Sequence, residues 1–378
     1  MSDFSRAALT DAKTIVVKVG SSQLANLGGG VKINFLQTLV RQIAALYRQG
    51  RRVVLVSSGA VAAGCVRLHL SKRPTDLAEL QAAAAIGQCE LMHLYQREFA
   101  NFNLSVGQIL LTSDGLNMRR RYLYARNTLQ TLLNFGAVPV VNENDSVAVG
   151  ELKLKMGDND ALAVAAAQLV DAAAVVILTD VPGLYDRPPT EENARLIRRV
   201  EKLTREHFSG AAGAVSGVGS GGMASKLGAA LGAAYGGRPL VVAAGEAENV
   251  LLDIFAGKEV GTFFAPMLKK ETSRRQWFAF GRPLNGTLTV DAGAARALTA
   301  GKKSLLPIGV KQVSGDFDEG DSVRVVTENG EEIARGISNY RRADAEKIIG
   351  RPSDELAAIL GVHCAETLVH RDNLVVME

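Results

Sequence analysis

The sequence predicts an α/β protein in which an open, mostly parallel sheet is sandwiched by helices and followed by a small β-rich domain. Two observations lead to this fold class. Short, nearly continuous apolar runs alternate with helical patterns through the first 265 residues, and such runs are typical of parallel strands that helices cover on both faces. Beyond residue 280 the pattern changes to alternating strands with tight turns, which is typical of a separate β-rich domain.

The individual elements of the first part follow from the spacing of its apolar residues. The short apolar runs fit single buried strands, and the longer segments between them repeat their apolar residues at helical spacing. We predict strands at Thr14–Val19, Arg52–Val56, Val106–Leu111, Ala137–Val141, Ala174–Leu178 and Leu240–Ala243, and helices at Ile33–Arg48, Leu77–Ala100 and Tyr122–Phe135.

The C-terminal part contains a strong hairpin signal. Asn329 and Gly330 lie between the predicted strands Ser322–Val326 and Glu332–Ile337, and Asn-Gly favours a two-residue hairpin turn. The preceding segment, Lys269–Pro283, has charge runs and ends in proline, as a connection between domains would. We therefore predict two domains, residues 1–275 and 283–378, with a boundary near residue 280.

The composition favours a cytoplasmic protein without a membrane segment. The three cysteines are far apart, which argues against a disulfide framework and a structural zinc site. The residues before Thr14 are polar, unlike a signal peptide. The longest apolar stretch, Ala161–Leu178, is interrupted by Gln168 and Asp171. A buried helix that runs into a buried strand explains this stretch better than a membrane span does.

A lysine lies inside the first predicted strand. Burying the charge of Lys18 in the run TIVVKV costs free energy unless the charge has a partner. Lys18 also lies at the carboxyl end of the strand, where open α/β sheets bind ligands. Gly20 and two serines follow, and small residues let backbone amides approach a phosphate. A lysine that extends its ammonium group to solvent is the alternative, and this residue alone does not decide between the two interpretations.

Polar residues also follow the next strands. Ser57 and Ser58 come directly after the strand RVVLV, where capping of a helix N-terminus is the alternative role for a serine. Asn142–Asp145 follow the strand AVPVV, and four consecutive polar residues exceed what a turn needs. These two segments therefore become candidates for ligand binding.

Two aspartates and an asparagine directly precede the helix that we predict from Ala161. A single N-cap residue would account for only one of Asp158, Asn159 and Asp160. Paired carboxylates beside lysines suit a site that holds a cationic group, either an amine or a metal ion.

A glycine-rich segment precedes Lys226. Its G-x-G-x-x-G match has no apolar strand before it and is a weak dinucleotide signal, and the Gly-Lys-Ser/Thr of a Walker A loop is absent. Lys226 lies in the first turn of a predicted helix, where the helix dipole disfavours a cation and favours an anion. The loop, the helix N-terminus and the lysine together indicate a phosphate site. Thr179 and Asp180, at the end of another strand, complete a set that we expect at one edge of the sheet.

These segments, in this order, resemble the amino acid kinase family, and within it the kinases that phosphorylate glutamate in the first step of proline synthesis. The resemblance covers nearly the whole chain and is carried by VVKVGSS, VSSGAVAAG, PVVNENDSV, GDND, LTDVPGLY and SGVGSGGMASK. From about Gly286 the chain is similar to a PUA domain. Two features depart from the kinase pattern: Ser220 and Ser225 stand where the family usually has threonine, and the loop between Asp145 and Asp158 is slightly long.

The resemblance implies the amino acid kinase fold and transfer of the ATP γ-phosphoryl group, with Mg²⁺, to the side-chain carboxylate of L-glutamate. No general base is needed, because a carboxylate is already ionised at neutral pH. The implied catalytic residues are Lys18, Lys226, Asp158 and Asp160, the implied glutamate-binding residues are Ser58, Asp145 and Asn159, and the implied nucleotide-binding residues are Lys18, Thr179, Asp180, Ser220, Gly221, Gly222, Met223, Ala224, Ser225 and Lys226. None of these residues is assigned as a metal ligand.

The resemblance also implies feedback inhibition by proline and a homo-oligomer, either a dimer or a tetramer. One rival is a kinase of the same fold that acts on aspartate, N-acetylglutamate, carbamate or a nucleotide, although the two acid clusters favour a substrate with a free amine. The other rival is an RNA-binding protein, because PUA domains commonly bind RNA. Residues 283–378 carry 11 Lys and Arg against 15 Asp and Glu, which argues against a surface that follows phosphates.

Overall fold

The computed structural model of the protein describes residues 5–26, 30–112, 115–116, 118–147, 159–204, 207, 222–267, 284–300, 303–361, 365–371 and 374–376. The chain divides into two compact units. One comprises Met1–Leu116 and Tyr122–Met267, and the other comprises Asn117–Arg121 and Leu268–Glu378. The boundary expected near residue 280 lies outside the described residues, so the domain limits of 1–275 and 283–378 stay predictions.

The first unit is built on an eight-stranded sheet in the order β5-β6-β4-β1-β7-β9-β10-β8. Every described pairing in it is parallel except that of β10 with β9, which confirms an open, mostly parallel sheet. Its strands and the short pair β2–β3 are β1 Thr14–Val19, β2 Ala25–Asn26, β3 Gly30–Val31, β4 Arg52–Val56, β5 Val106–Leu111, β6 Val138–Glu143, β7 Ala174–Thr179, β8 Arg199–Val200, β9 Leu240–Ala244 and β10 Thr262–Phe264.

Helices cover both faces of this sheet. In β1, Ile15, Val17 and Val19 face one apolar core with α3 and α5, whereas Val16 faces a second core with α6, α7 and α8, because successive side chains of a strand point to opposite faces. The helices are α1 Ala7–Thr10, α2 Ser21–Leu24, α3 Ile33–Arg48, α4 Ala60–Arg67, α5 Leu77–Ala100, α6 Arg119–Asn134, α7 Asn159–Leu169, α8 Met223–Tyr235 and α9 Val250–Phe255.

The predicted elements are present, with shifts at their ends. The helices Ile33–Arg48 and Leu77–Ala100 have the predicted bounds, and α6 begins three residues before the predicted Tyr122. β6 extends to Glu143 because Asn142 and Glu143 still pair with β5. β5 lies at the edge of the sheet and is only partly buried, although Val106 packs against one core and Ile109 and Leu111 pack against the other.

Two glycines allow α4 and α5 to pack closely. A Cβ atom on Gly64 would lie 1.8 Å from the carbonyl oxygen of Ala83, and one on Gly87 would lie 1.8 Å from that of Ala60. Neither position accepts a larger residue unless the helices separate. This contact therefore fixes the position of α5 beside the carboxyl ends of β4 and β6.

The second unit is a five-stranded sheet in the order β12-β11-β13-β14-β15 around its own apolar core. The predicted hairpin is confirmed: β13 and β14 pair antiparallel, and Gly330 in the turn has a φ of +82°, which favours glycine. The elements are β11 Leu284–Val290, α10 Ala292–Thr299, β12 Val310–Gly315, β13 Ser322–Thr327, β14 Glu332–Ile337, α11 Arg342–Ile348, α12 Leu356–Leu360 and β15 Leu374–Val376, with 3-10 turns at Pro307–Gly309 and Ser353–Glu355.

The long apolar stretch Ala161–Leu178 is divided as predicted between α7 and β7, both of them buried. Within the described part of the chain, no helix combines the length and the apolar character needed to cross a membrane.

Candidate active site

Two polar clusters meet at the first turn of α7. Both include side chains at the carboxyl ends of parallel strands, which share one edge of the sheet. Asp160 belongs to a charged cluster on the side of β1 and α8, and Asn159 belongs to a neutral cluster on the side of β4 and β6. The sequence predicted that these residues would come together, although it placed the helix start at Ala161, two residues late.

The charged cluster consists of one aspartate between two lysines. Asp160 Oδ1 lies 2.6 Å from Lys18 Nζ, and Asp160 Oδ2 lies 3.4 Å from Lys226 Nζ. Ser225 Oγ donates a hydrogen bond of 3.1 Å to the same Oδ2. The side chains of Lys18 and Lys226 are each 6% exposed and that of Asp160 is 1% exposed. The solvent-extended interpretation of Lys18 is therefore wrong.

The ionised state of Asp160 is favoured by this arrangement. Burial by itself raises the pKa of the carboxyl group, but Lys18, Lys226 and the hydrogen bond from Ser225 together hold the pKa below its ordinary value. The carboxylate therefore stays negative at neutral pH and keeps both ammonium groups in position.

Local structure explains how the two lysines reach one carboxylate. Lys18 is two residues beyond Val16 on β1 and thus shares the face that α7 covers. Lys226 lies in the first turn of α8, which packs against the same core. Burying an ammonium group at a helix N-terminus is unfavourable by itself, and the ion pair with Asp160 offsets that cost.

The neutral cluster is centred on the Asn159 amide. Its Nδ2 donates to the carbonyl oxygen of Ser57 at 2.8 Å, to Ser58 Oγ at 2.9 Å and to Asn142 Oδ1 at 3.0 Å. All four residues are buried. Asn159 Oδ1 is buried and has no hydrogen-bond partner among the described residues.

Ser58 does not cap a helix, so the alternative interpretation of this residue is wrong. The N-cap position of α4 belongs to Gly59, which has a φ of +88° and provides no side-chain cap. The hydroxyl group of Ser58 instead accepts the hydrogen bond from Asn159.

Two further residues of the neutral cluster, Gln88 and Tyr95, were missed by sequence reasoning. Asn142 Nδ2 donates to Gln88 Oε1 at 2.8 Å, and the Ser57 hydroxyl is 3.1 Å from the hydroxyl of Tyr95. Gln88 and Tyr95 lie seven residues apart on the buried face of α5. A polar residue within an otherwise apolar helical stripe was the available signal.

Asp145 follows β6 and is partly buried. Burial raises the pKa of its carboxyl group, and the nearby charge of Arg73 opposes that rise. Among the described residues, Asp145 has no hydrogen bond to Ser58 or Asn159, so the structure does not join these three predicted substrate residues directly.

Besides Lys18, the described members of the predicted nucleotide set lie at the end of β7 and at the start of α8. Thr179 Oγ1 donates to Asp180 Oδ1 at 2.9 Å. Gly222 precedes Met223 and Ala224 in the N-cap position of α8, with extended backbone and no side-chain cap, so the first amides of this helix are suited to an anion. Asp158, Ser220 and Gly221 lie outside the described residues.

Comparison with known proteins identifies the class of this site. The model of the amino acid kinase family matches residues 13–244, and that of the PUA domain matches residues 286–360. The chain belongs to the amino acid kinase family. Its first unit therefore has the amino acid kinase fold, and membership in this kinase family implies ATP as the phosphoryl donor.

Relatives of this amino acid kinase align over almost its whole length. A protein named glutamate 5-kinase from Citrifermentans bemidjiense is 46% identical over 98% of this chain and 99% of its own. One from Moorella thermoacetica is 45% identical over 98% of both chains. Among solved structures, carbamate kinase from Giardia lamblia bound to AMP-PNP covers 68% of this chain and 99% of its own, with 15% identity and a TM-score of 0.49.

The chemistry of the two clusters differs in a way that suits an amino acid kinase. Two buried ammonium groups can hold a phosphoryl group, and a fixed set of amide and hydroxyl groups can hold a small polar substrate. Within the described part of the chain, no group of three or more His, Cys, Asp or Glu side chains could hold a metal ion.

Proposed function

We propose that this amino acid kinase phosphorylates the side-chain carboxylate of L-glutamate to give L-glutamyl 5-phosphate, the first step of proline biosynthesis. The observation that carries the proposal is the pair of buried lysines held on opposite oxygens of Asp160. The name shared by relatives that are 44–46% identical over at least 96% of the chain supports glutamate as the substrate.

In the proposed reaction an oxygen of the glutamate side chain forms a bond to the γ-phosphorus of ATP while the bond to the ADP oxygen breaks. Both reactants are anions, so catalysis depends on positioning and on neutralising charge. Lys18 and Lys226 would contact the migrating phosphoryl group from two sides, and Asp160, together with Asp158, would orient them. The glutamate carboxylate is ionised at neutral pH, so no proton has to be removed before it attacks.

The neutral cluster and Asp145 would bind glutamate. The Ser58 hydroxyl accepts from Asn159, which leaves its proton available for a carboxylate oxygen of the substrate. Asn159 Oδ1, an acceptor, suits the α-ammonium group. Asp145 would pair with the same ammonium group, and this pairing would exclude an N-acetylated substrate.

The nucleotide would lie between β7 and α8. Thr179 and Asp180 would contact it at the end of β7. The phosphates would lie at the N-terminus of α8, where free amide groups and the helix dipole favour negative charge. In that arrangement Ser220, Gly221, Gly222, Met223, Ala224, Ser225 and Lys226 all contribute to nucleotide binding.

Mg²⁺ fits this site as a companion of the nucleotide. Asp160 is already paired with two lysines, so it is a poor ligand, whereas Asp180 is exposed at the end of β7. Mg²⁺ is often held by one or two carboxylates and the substrate phosphates, and Asp180 and Asp158 are the candidates. When bound, the ion would neutralise part of the phosphate charge.

Three further parts of the proposal concern the setting of the enzyme. We propose a cytoplasmic homo-oligomer, either a dimer or a tetramer, that proline inhibits. Light scattering at several protein concentrations would test the oligomeric state. Inhibition curves with L-proline would test the inhibition. RNA binding by residues 283–378 would appear as salt-dependent retention of RNA and is the minor alternative.

A hydroxamate assay tests the central proposal. Hydroxylamine traps an acyl phosphate, so the purified protein is mixed with ATP, Mg²⁺ and one acceptor at a time. We expect a much larger signal with L-glutamate than with L-aspartate or N-acetyl-L-glutamate. Equal turnover of N-acetyl-L-glutamate would contradict the role proposed for Asp145, and turnover of L-aspartate alone would replace the proposed substrate.

A further inference from the structure

A chain of three amide side chains links α5 to the substrate side of α7. Gln88 Oε1 accepts from Asn142 Nδ2 at 2.8 Å, and Asn142 Oδ1 accepts from Asn159 Nδ2 at 3.0 Å. All three side chains are buried, so water does not compete freely for these groups.

For Asn142 and Asn159, the direction of the amide is fixed by a backbone group that can only donate or only accept. The backbone N–H of Glu143 donates to Asn142 Oδ1 at 3.0 Å, which places the Asn142 nitrogen toward Gln88. The backbone carbonyl of Ser57 accepts from Asn159 Nδ2 at 2.8 Å, so that position requires the nitrogen of Asn159.

The result is a single orientation for the Asn159 carbonyl oxygen. With its nitrogen directed at Ser57, Ser58 and Asn142, Asn159 presents Oδ1 as a buried acceptor that no described residue uses. A buried acceptor without a donor costs free energy, and an N–H group of a bound ligand would satisfy it.

We propose that Gln88 is a positioning residue for recognition of the substrate's ammonium group. Gln88 holds the Asn142 amide, Asn142 holds the Asn159 amide, and Asn159 Oδ1 then accepts from the ammonium group. This inference rests on the proposed function, since it takes an amino acid as the ligand. It adds a residue of α5 that does not touch the substrate itself.

The backbone of α5 around Gln88 is held firmly enough for this role. Its neighbour Gly87 lies against α4 so closely that a Cβ atom would be 2.4 Å from the backbone nitrogen of Gly64 and 1.8 Å from the carbonyl oxygen of Ala60. The backbone of α5 at residue 88 is therefore held by direct helix contact, and the distance to Asn142 is set by it.

Two variants of similar size separate the hydrogen bond from packing. Gln88→Met keeps the length of the side chain but removes the acceptor, whereas Gln88→Glu keeps an acceptor in either protonation state. Both are compared with the wild type by steady-state kinetics for L-glutamate and ATP, by inhibition with glutarate, which lacks the amine, and by melting temperature.

For Gln88→Met we expect the KM for L-glutamate to rise by about tenfold or more, because the buried donor of Asn142 loses its acceptor and Asn142 then holds Asn159 less firmly in place. The kcat, the KM for ATP and the Ki of glutarate should stay within about threefold of the wild type. Gln88→Glu should recover most of the affinity for L-glutamate.

Three results would overturn the inference. An unchanged KM for L-glutamate in Gln88→Met would show that Gln88 does not position the site. Equal losses for L-glutamate and glutarate, with a lower melting temperature and no recovery in Gln88→Glu, would show a packing role. A wild-type protein that does not phosphorylate L-glutamate would remove the proposed function and this inference together, which distinguishes that failure from the first two.

Discussion

Asn159 and Asp160 are adjacent in the chain, yet they lie in opposite surroundings. Asp160 is held by two lysines and a serine hydroxyl, and its partners come from β1 and α8. Asn159 is held by a carbonyl oxygen, a hydroxyl and an amide, and its partners come from β6 and from the two residues after β4. The first turn of α7 thus divides the sheet edge into a charged half and a neutral half.

The two halves use different physical means to hold their ligands. In the charged half, strong electrostatic attraction in a buried setting holds the ammonium groups, and small errors in angle matter little. In the neutral half, binding depends on the direction of each hydrogen bond, so each amide must present the correct atom, either its donor nitrogen or its acceptor oxygen. We therefore expect substitutions in the charged half to lower turnover and those in the neutral half to weaken substrate binding.

The largest effect is expected for Lys226→Met. This change removes one of two preorganised charges from the proposed phosphoryl position, so kcat should fall by about 10²–10³-fold, while the KM for L-glutamate changes little. Steady-state kinetics with both substrates measure this. Lys202→Met, a change at an exposed lysine, is the control and should leave turnover as in the wild type. A Lys226→Met enzyme with near-normal kcat would show that this lysine is structural.

Gly87→Ala should disturb the neutral half through packing. The added Cβ would collide with backbone atoms of Ala60 and Gly64, so α4 and α5 must separate, and the free energy of unfolding should fall by about 1–3 kcal/mol. Denaturant titration measures the loss.

Gly228→Ala is the matched control, because a Cβ there meets nothing among the described residues and alanine favours a helix interior over glycine by roughly 0.5–1 kcal/mol. Equal stability changes in the two variants would contradict the close contact between α4 and α5.

Much of the site was predictable from residue types at strand ends. Lys18 in an apolar strand, the polar residues after β4 and β6, and Lys226 in the first turn of a helix all fall where the sequence placed them. Strand ends are visible in a sequence because apolar runs stop there, and in a parallel sheet those ends share one edge.

Which residues contact one another within the site was not predictable in the same way. The sequence shows that Gln88 interrupts an apolar stripe of α5, but the partner of Gln88 is 54 positions away at Asn142, and no local pattern joins them. Ser58 resembled a helix cap because serine is favoured there, but the structure gives the N-cap position of α4 to Gly59, whose φ is +88°. The start of α7 was placed late because Asn159 and Asp160 satisfy tertiary partners, which local propensity does not register.

The smallest effect is expected when the pH is lowered, and the two halves should again respond differently. The pKa of Asp145 is raised by burial, although Arg73 opposes the rise, whereas lysines hold the pKa of Asp160 below its usual value. On acidification Asp145 should therefore take up its proton first, and the KM for L-glutamate should rise before kcat falls.

Kinetics across the acidic range measure both parameters. Asp145→Asn cannot titrate, so whatever pH dependence of KM remains in that variant belongs to the substrate. A kcat that falls before KM rises in the wild type would reverse the order we expect for the two aspartates.

The division at the first turn of α7 is tested most directly by kinetics on Asp160→Asn and Asn159→Ala side by side. We expect Asp160→Asn to lower kcat by about 10²-fold or more, since the two lysines lose the carboxylate that positions them, with the KM for L-glutamate nearly unchanged. We expect Asn159→Ala to raise the KM for L-glutamate by about tenfold or more, with a smaller change in kcat. A change of the same parameter to the same extent in both variants would show that the two halves do not have separate roles.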